Sequence, residues 1–391
     1  MHTTGKRRVT SREFYVYHMN QRDDEQDYLH KAGRLYQEWI CMSWLAVENQ
    51  KLQYQRQNQK TLRADSYKNV REATEERRLD LAPREDGMFP DDSKQPAIGR
   101  KILSSSFVGS PRWYNSQFQD GMAIVREYHK PDYFLTMTCN PKWPEIIQNL
   151  EVGQTAQDRP DLVARVFKQK KDQLMHDLIS GEILGKIVAH MHVIEFQKRG
   201  LPHAHILIIL ANSDRSMTPE EVDIAVCAEL PPDPDEAENE VEAEQRRRLQ
   251  DIVFTSMVHG PCGADNPSCS CMGNGRCTKK FPKPFQKKTI VDPDNNNPLY
   301  RRRSPEDGGR QIVCPKTGRT IDNRWVVPYN PFLSLRYNCH INNEKCTSAK
   351  ASKYIYKYVT KGSDRAMVAT VVEGQQQRDE ISQYEDLRSI G

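Results

Sequence analysis

Apolar and polar positions change rhythm several times along the chain. Between residues 12 and 78 apolar side chains recur at helical spacing, with Leu29, Leu35, Trp39, Met42 and Leu45 among them, which predicts two or three helices. The proline-bearing stretch LDLAPREDGMFPDDSKQPAIG reads as a linker. A helix around QFQDGMAIVREY follows, then a strand, PDYFLTMTCNP, bounded by prolines, then a basic helix over RPDLVARVFKQKKDQLMHDLI. GKIVAHMHVIEFQ and LPHAHILIIL form the two arms of a hairpin. Residues 213–250 read as a helix plus an acidic linker, and residues 255–290 cluster Cys, Gly and Pro. DNRWVVPYNPFLSLRYNCHI looks like strands, and SAKASKYIYKYVTKG is a helix ended by Gly362, before a polar tail.

The hairpin raises a chemical question, because its second arm puts two imidazoles before five consecutive aliphatic residues. Side chains alternate along a strand, so His203 and His205 share a face and Ala204 takes the other. With Lys198, Arg199 and Gly200 as a three-residue loop, Glu195 stands opposite His203. Two imidazoles and a carboxylate then meet on one patch. That mixed N/O set suits Mn²⁺, Mg²⁺ or Zn²⁺ and leaves room for a substrate oxygen. Gln197 lies on the same face as a substitute or assistant. A His-x-His pair can also be simple packing, and His190 and His192, on the face opposite Glu195, are read as structural.

KASKYIYKYVTKG stacks Tyr354 over Tyr358 on one side of a helix, with Lys350, Lys357 and Lys361 beside them and Tyr356 pointing away. Such a face is either the boundary of an exposed amphipathic helix or a pair of phenolic nucleophiles next to phosphate-holding cations. A phenol titrates near 10, so attack at neutral pH needs that electrostatic help.

Charge is uneven although the net is only +4 over 391 residues. Asp233–Glu244 holds seven acids and no base, and Arg276–Lys288 holds six bases and no acid. Phe281 and Phe285 interleave the basic run, and Lys279, Lys280 and Lys283 are candidate nucleic-acid contacts. No run of about 18 apolar residues exists and the N-terminus lacks an apolar signal core, so a membrane partner is excluded and an intracellular, nuclear protein is expected. Cysteines there serve as thiols or metal ligands. Cys262, Cys269, Cys271 and Cys277 fall within 16 residues, His259 precedes them, and Cys339, His340 and Cys346 follow later. The alternatives are a structural Zn²⁺ held by four of these and free thiols in a loop.

Taken in order, REFYVYHMNQR, GSPRWYNSQFQDGMAIVREYHKPDYFLTMTCNPKWPEI, EFQKRGLPHAHIL, the NPSCSCMGNGRCTKKFPKPF run, VVPYNPFLSLRYNCHIN and KYIYKYVTKG resemble the N-terminal Rep portion of Helitron transposases, the "Helitron helicase-like" domain, within the HUH endonucleases. The resemblance implies an α+β fold, a central antiparallel sheet with flanking helices. The residue pattern divides the chain into an N-terminal helical region (1–80), a linker (81–105), a helix and acidic linker (213–250), a Cys-rich basic loop insertion (251–290) and a polar tail (366–391), and the resemblance makes the remaining two parts (106–212 and 291–365) the nuclease core. FLTMTCNP matches the first Rep motif. His203 and His205 match the metal-binding pair, Glu195 the upstream acidic ligand, and Tyr354 and Tyr358 the catalytic tyrosines. The implied activity is metal-dependent nicking and strand transfer on single-stranded DNA at transposon ends, through a 5′-phosphotyrosine link. No G-x-x-x-x-G-K-[ST] occurs, so a helicase domain is expected to be supplied elsewhere, and the chain to be a Rep-only fragment or a relic. The competing functions are a catalytically silent single-strand DNA-binding relic and a zinc hydrolase, the latter without a convincing base.

Overall fold

The hairpin supplies an edge strand and an inner strand of a four-stranded antiparallel sheet. In chain order the strands are β1 (Tyr133–Thr138), β2 (Ile187–Phe196), β3 (Pro202–Leu210), β4 (Met272–Gly273), β5 (Arg276–Cys277), β6 (Gln311–Val313), β7 (Thr320–Asp322) and β8 (Ile341–Lys345). The main sheet runs β2-β3-β1-β8, while β4–β5 and β6–β7 are separate two-stranded pairs. The computed structural model describes residues 8–21, 28–64, 101–197, 200–215, 218–291, 298–313, 318–346 and 379–388. They fall into two units, one from residues 1–120 and 359–391, the other from residues 121–358.

In the second unit the helices are α5 (Pro111–Tyr128, entering from the first), α6 (Pro144–Ile147), α7 (Pro160–Ser180), α8 (Asn212–Arg215), α9 (Pro219–Ala225), α10 (Glu240–Ile252) and α11 (Pro331–Tyr337). One sheet face carries Tyr133, Leu135, Met137, Ala204, Ile206, Ile208 and Ile341 into a buried cluster with Val163, Val166, Phe167, Leu174 and Leu178 of α7. The α7 residues recur at three- and four-residue steps, the stripe a helix needs to lie on a sheet. β3 is an inner strand, and Leu207 and Ile209 on its other face are fully buried too. Burial on both faces explains why Ile206–Leu210 shows no alternation. Truncating Ile206 or Ile208 to Ala should cost about 2–5 kcal/mol.

The hairpin closes between Gln197 and Leu201, whose N–H···O distance is 3.0 Å. Gly200 takes φ +78°, which a residue with a Cβ adopts only with strain. The pairing puts Glu195 opposite His203 and Val193 opposite His205.

A second core joins Leu249, Val253 and Met257 to Leu230, Ile321, Val326 and Tyr329. Beside it, buried Arg302 donates from one guanidinium nitrogen to the carbonyl oxygens of Ala228 (3.1 Å), Asn323 (2.6 Å) and Val326 (2.7 Å). Burial pushes that guanidinium down to about 10, so it stays charged at neutral pH. Burial would also raise the Glu229 carboxyl, but Arg303 and Arg301 outweigh it and hold Glu229 below its ordinary value.

The first unit holds α1 (Ser11–Met19), α2 (Tyr28–Lys31), α3 (Arg34–Gln57), α4 (Gln59–Ala64) and, from the far end of the chain, α12 (Glu380–Arg388). Thr10 and Glu13 cap α1 reciprocally. Leu52, Leu103, Phe107 and Ile381 form a small core, and Glu380 pairs with Arg112 at 2.6 Å. Among the described residues no helix is long and apolar enough to cross a membrane.

An α+β fold around an antiparallel sheet is therefore observed, with four local corrections. α3 buries Tyr36, Ser43, Val47 and Leu52, leaving Leu35, Met42 and Leu45 exposed. The acidic run is not all linker, because Glu240 to Glu244 open α10 behind an Asn239 cap. The stretch read as strands contains α11, where Asn330 caps the helix and Pro331 takes its first turn. The polar tail includes α12, whose Tyr384 hydroxyl donates to Glu48 at 2.7 Å. The predicted helix carrying Lys350, Tyr354, Tyr356, Lys357, Tyr358 and Lys361 lies outside the described residues.

Candidate functional site

The period-two rule brings two histidines, two threonines and a carboxylate to one end of the sheet, on the face away from α7. In the β1–β3 register Thr136 faces His205 and Thr138 faces His203. Thr136 Oγ1 lies 3.1 Å from His205 Nδ1, and Thr138 Oγ1 lies 3.1 Å from His203 Nδ1. A third imidazole joins them, since His340, just before β8, sets its Nδ1 3.1 Å from the same Thr138 oxygen. Glu195 Oε2 is 3.4 Å from His205 Nε2, and His203 Nε2 is buried with no partner. Gln197 is exposed two residues beyond Glu195. His190 and His192 pair across from Ile208 and Ile206, on the α7 side of the sheet.

Burial keeps these rings neutral. It is the main cause that pushes His203 down to about 4, with repulsion from His340 and His205 adding to it. Burial also takes His340 down to about 4. His205 is lowered by burial too, and Glu195 offsets part of that shift. A neutral imidazole is the form that ligates a metal. Two ligands bound at about 2.1 Å to one ion stand roughly 3.0–3.4 Å apart, so the Glu195–His205 spacing fits a shared ion. The orphaned His203 nitrogen fits a further ligand. The three do not yet converge: among the described residues, the group of three or more ligand atoms all within 4.8 Å of one another is a different one.

That group is His259, Cys262, Cys271 and Cys277. Asn274 and Gly275, both with positive φ, make the two-residue turn between β4 and β5. The turn returns the chain so that Thr278 N–H donates to Cys271 O at 2.8 Å, bringing Cys271 and Cys277 together. His259 Nε2 lies 3.4 Å from Cys277 Sγ. Ligands of tetrahedral zinc at about 2.0–2.3 Å would sit about 3.5–3.8 Å apart, close to this spacing. Burial would raise the Cys277 thiol, yet the amides of Phe281 and Lys279 aimed at its sulfur help bring it below its usual value. Cys271 goes the other way, pushed up to about 12 by burial and by its thiol neighbours. These four groups could hold a metal ion. Of the other sequence candidates, Cys269 Sγ sits 3.5 Å from Cys271 Sγ outside the set, Cys339 is in the main core, Cys346 lines a groove, and His340 belongs to the sheet patch.

His259 and Cys271 of the cluster and Thr136, His205 and His340 of the patch line that groove, a cavity of about 930 Å³. Thr136, His205 and His340 lie on its sheet side, and Lys279, Lys280, Phe281, Lys283 and Arg302 line it as well. His259 stacks on Phe281 with centroids 4.2 Å apart and planes at 16°. Lys283 Nζ lies 4.9 Å from the centre of the same ring. A groove combining cations, an aromatic ring and neutral imidazoles can accept a phosphodiester chain.

Residues 14–208 match the family described as the Helitron helicase-like domain at the N-terminus. Over these residues the chain belongs to that family. The matched part of the Helitron helicase-like domain runs from α1 into β3 and contains Glu195, His203 and His205, while His340 and the cysteine cluster lie beyond it. Membership points to a role in Helitron transposition. No curated protein matches the chain.

Sequence reasoning missed Thr136 and Thr138, and put His340 among the zinc candidates. The signal for the threonines was present in FLTMT, whose Thr-x-Thr period equals that of His-x-His on the neighbouring strand.

Proposed function

We propose that the chain is a metal-dependent nickase and strand transferase acting on single-stranded DNA in Helitron transposition, built on the HUH plan. One observation carries this: a carboxylate and two neutral imidazoles, one with an orphaned buried nitrogen, share a sheet face, and one of the imidazoles, His205, lines a groove together with lysines. His203, His205 and Glu195 would hold Mg²⁺ or Mn²⁺, which supplies Lewis-acid polarisation of the scissile phosphate. Lys279, Lys280 and Lys283 hold the strand through its phosphates, with Lys350, Lys357 and Lys361 assisting near the tyrosines. The phenolic oxygen of Tyr354 or Tyr358 attacks phosphorus and forms the phosphotyrosine ester. The bond to the 3′ oxygen breaks, and that oxygen takes up the proton given up by the phenol and leaves as a free 3′-OH. The second tyrosine serves a second cleavage or strand transfer. His259, Cys262, Cys271 and Cys277 would hold a structural Zn²⁺ that braces the basic wall.

A second function, a single-strand DNA-binding module without cleavage, is favoured by one observation: Glu195, His203 and His205 do not converge as a three-ligand set. The two separate on a denaturing gel of end-labelled single-stranded DNA incubated with the protein and Mn²⁺. A nickase yields a shortened strand and an SDS-resistant adduct, both abolished by EDTA. A binder yields only a complex that SDS dissolves.

A further inference from the structure

Thr138 Oγ1 stands 3.1 Å from His203 Nδ1 and 3.1 Å from His340 Nδ1. The hydroxyl owns one proton, and among the described residues the two ring nitrogens are its side-chain partners. If His203 offers its Nε2 lone pair to a metal, its proton must sit on Nδ1 and point at the Thr138 oxygen. The Thr138 proton is then free to point only at His340 Nδ1. His340 is left with its proton on Nε2, and this ring lines the groove.

We propose that Thr138 is a positioning residue that couples the tautomers of His203 and His340, so that metal loading at His203 turns His340 into an N–H donor toward a phosphate oxygen in the groove. The inference rests on the nickase function above. The opposite hydroxyl orientation protonates His203 Nε2 and closes that nitrogen to a metal. Thr138 thereby selects the ligating form, as the outer partners of metal-bound histidines do elsewhere.

Thr138→Val keeps the side-chain shape and removes the relay, whereas Thr138→Ser keeps the hydroxyl. The Mn²⁺ affinity of full-length protein, followed by the electron paramagnetic resonance signal of free Mn²⁺, should fall about 10-fold or more in Thr138→Val. Thr138→Ser should bind as the parent does. In ¹⁵N-histidine NMR of the parent, His340 should carry its proton on Nε2 once a diamagnetic divalent ion has been added. Parent-like affinity in Thr138→Val, or a His340 proton on Nδ1 in the loaded protein, overturns the coupling while leaving the nickase standing. A parent chain that binds no Mn²⁺ outside the cysteine cluster overturns the metal-dependent function itself, and the coupling with it.

Discussion

Replacing Arg302 with Met should destabilise the second unit by about 3–5 kcal/mol, because it strips three backbone carbonyls of one buried, charged donor. The side chain is 4% exposed, and its guanidinium converges on the carbonyls of Ala228, Asn323 and Val326. Those oxygens come from two segments far apart in sequence, so Arg302 ties the groove wall to the second core. Each carbonyl left without a donor costs about 1–3 kcal/mol. Three of them would exceed the net figure, but removing a buried charge relieves its own desolvation cost, and water can reach part of the gap. Met keeps the volume, so little of the loss is a cavity. Urea unfolding read by tryptophan fluorescence gives the number. With a slope of about 3 kcal/mol per M, the midpoint should drop by roughly 1–1.7 M. A midpoint within about 0.3 M of the parent would refute the role assigned to Arg302. Binding of a fluorescent single-stranded oligonucleotide should weaken with it at temperatures where the variant is still folded.

The other predictions concern composition and pH. Elemental analysis should find about one Zn²⁺ per chain, reduced well below one in Cys271→Ser and Cys277→Ser and unchanged in Cys346→Ser; equal zinc in all of them would remove the assigned ligand set. Asp177 accepts hydrogen bonds from Arg336, Tyr337 (2.6 Å) and Gln173 (2.8 Å). Burial works against its charge, but these donors together hold the carboxyl at about 2. Because the folded value is depressed, the stability is fully present above the unfolded carboxyl value near 4 and is lost as pH falls toward 2. Asp177→Asn should therefore be less stable by about 2 kcal/mol at pH 7, and the gap should close between about pH 4 and pH 2; a gap constant with pH would contradict the linkage.

Local rules made the hairpin legible. Period-two alternation and a glycine-ended loop are enough to pair Glu195 with His203, and both are properties of adjacent residues. His340 was not legible, because its place depends on β8 pairing with β1 across about 200 residues of intervening chain. Sequence adjacency linked it to Cys339 and Cys346 instead, yet strand alternation sends Cys339 to the core and leaves His340 beside Thr138. The zinc candidates narrowed for a similar reason: the Asn274–Gly275 turn decides which thiols meet, and irregular cysteine spacing hides that turn. α11 is hard to read from sequence although Asn330–Pro331 is a helix-start signal, because the short apolar run after it fits a strand as well as a helix. In α3 the periodicity was visible but its phase was not, since Leu35, Met42 and Leu45 recur as regularly as Tyr36, Ser43 and Val47.

Mass spectrometry of the protein–DNA adduct trapped with Mn²⁺ tests the central claim most directly. The account predicts a phosphotyrosine ester on Tyr354 or Tyr358, loss of the adduct in the Tyr354→Phe, Tyr358→Phe double variant, and parent-like behaviour of Tyr356→Phe. Phe keeps each ring and removes only the attacking oxygen, so a loss reports chemistry rather than packing. An adduct that survives in the double variant, or one mapped to Tyr356, would contradict it.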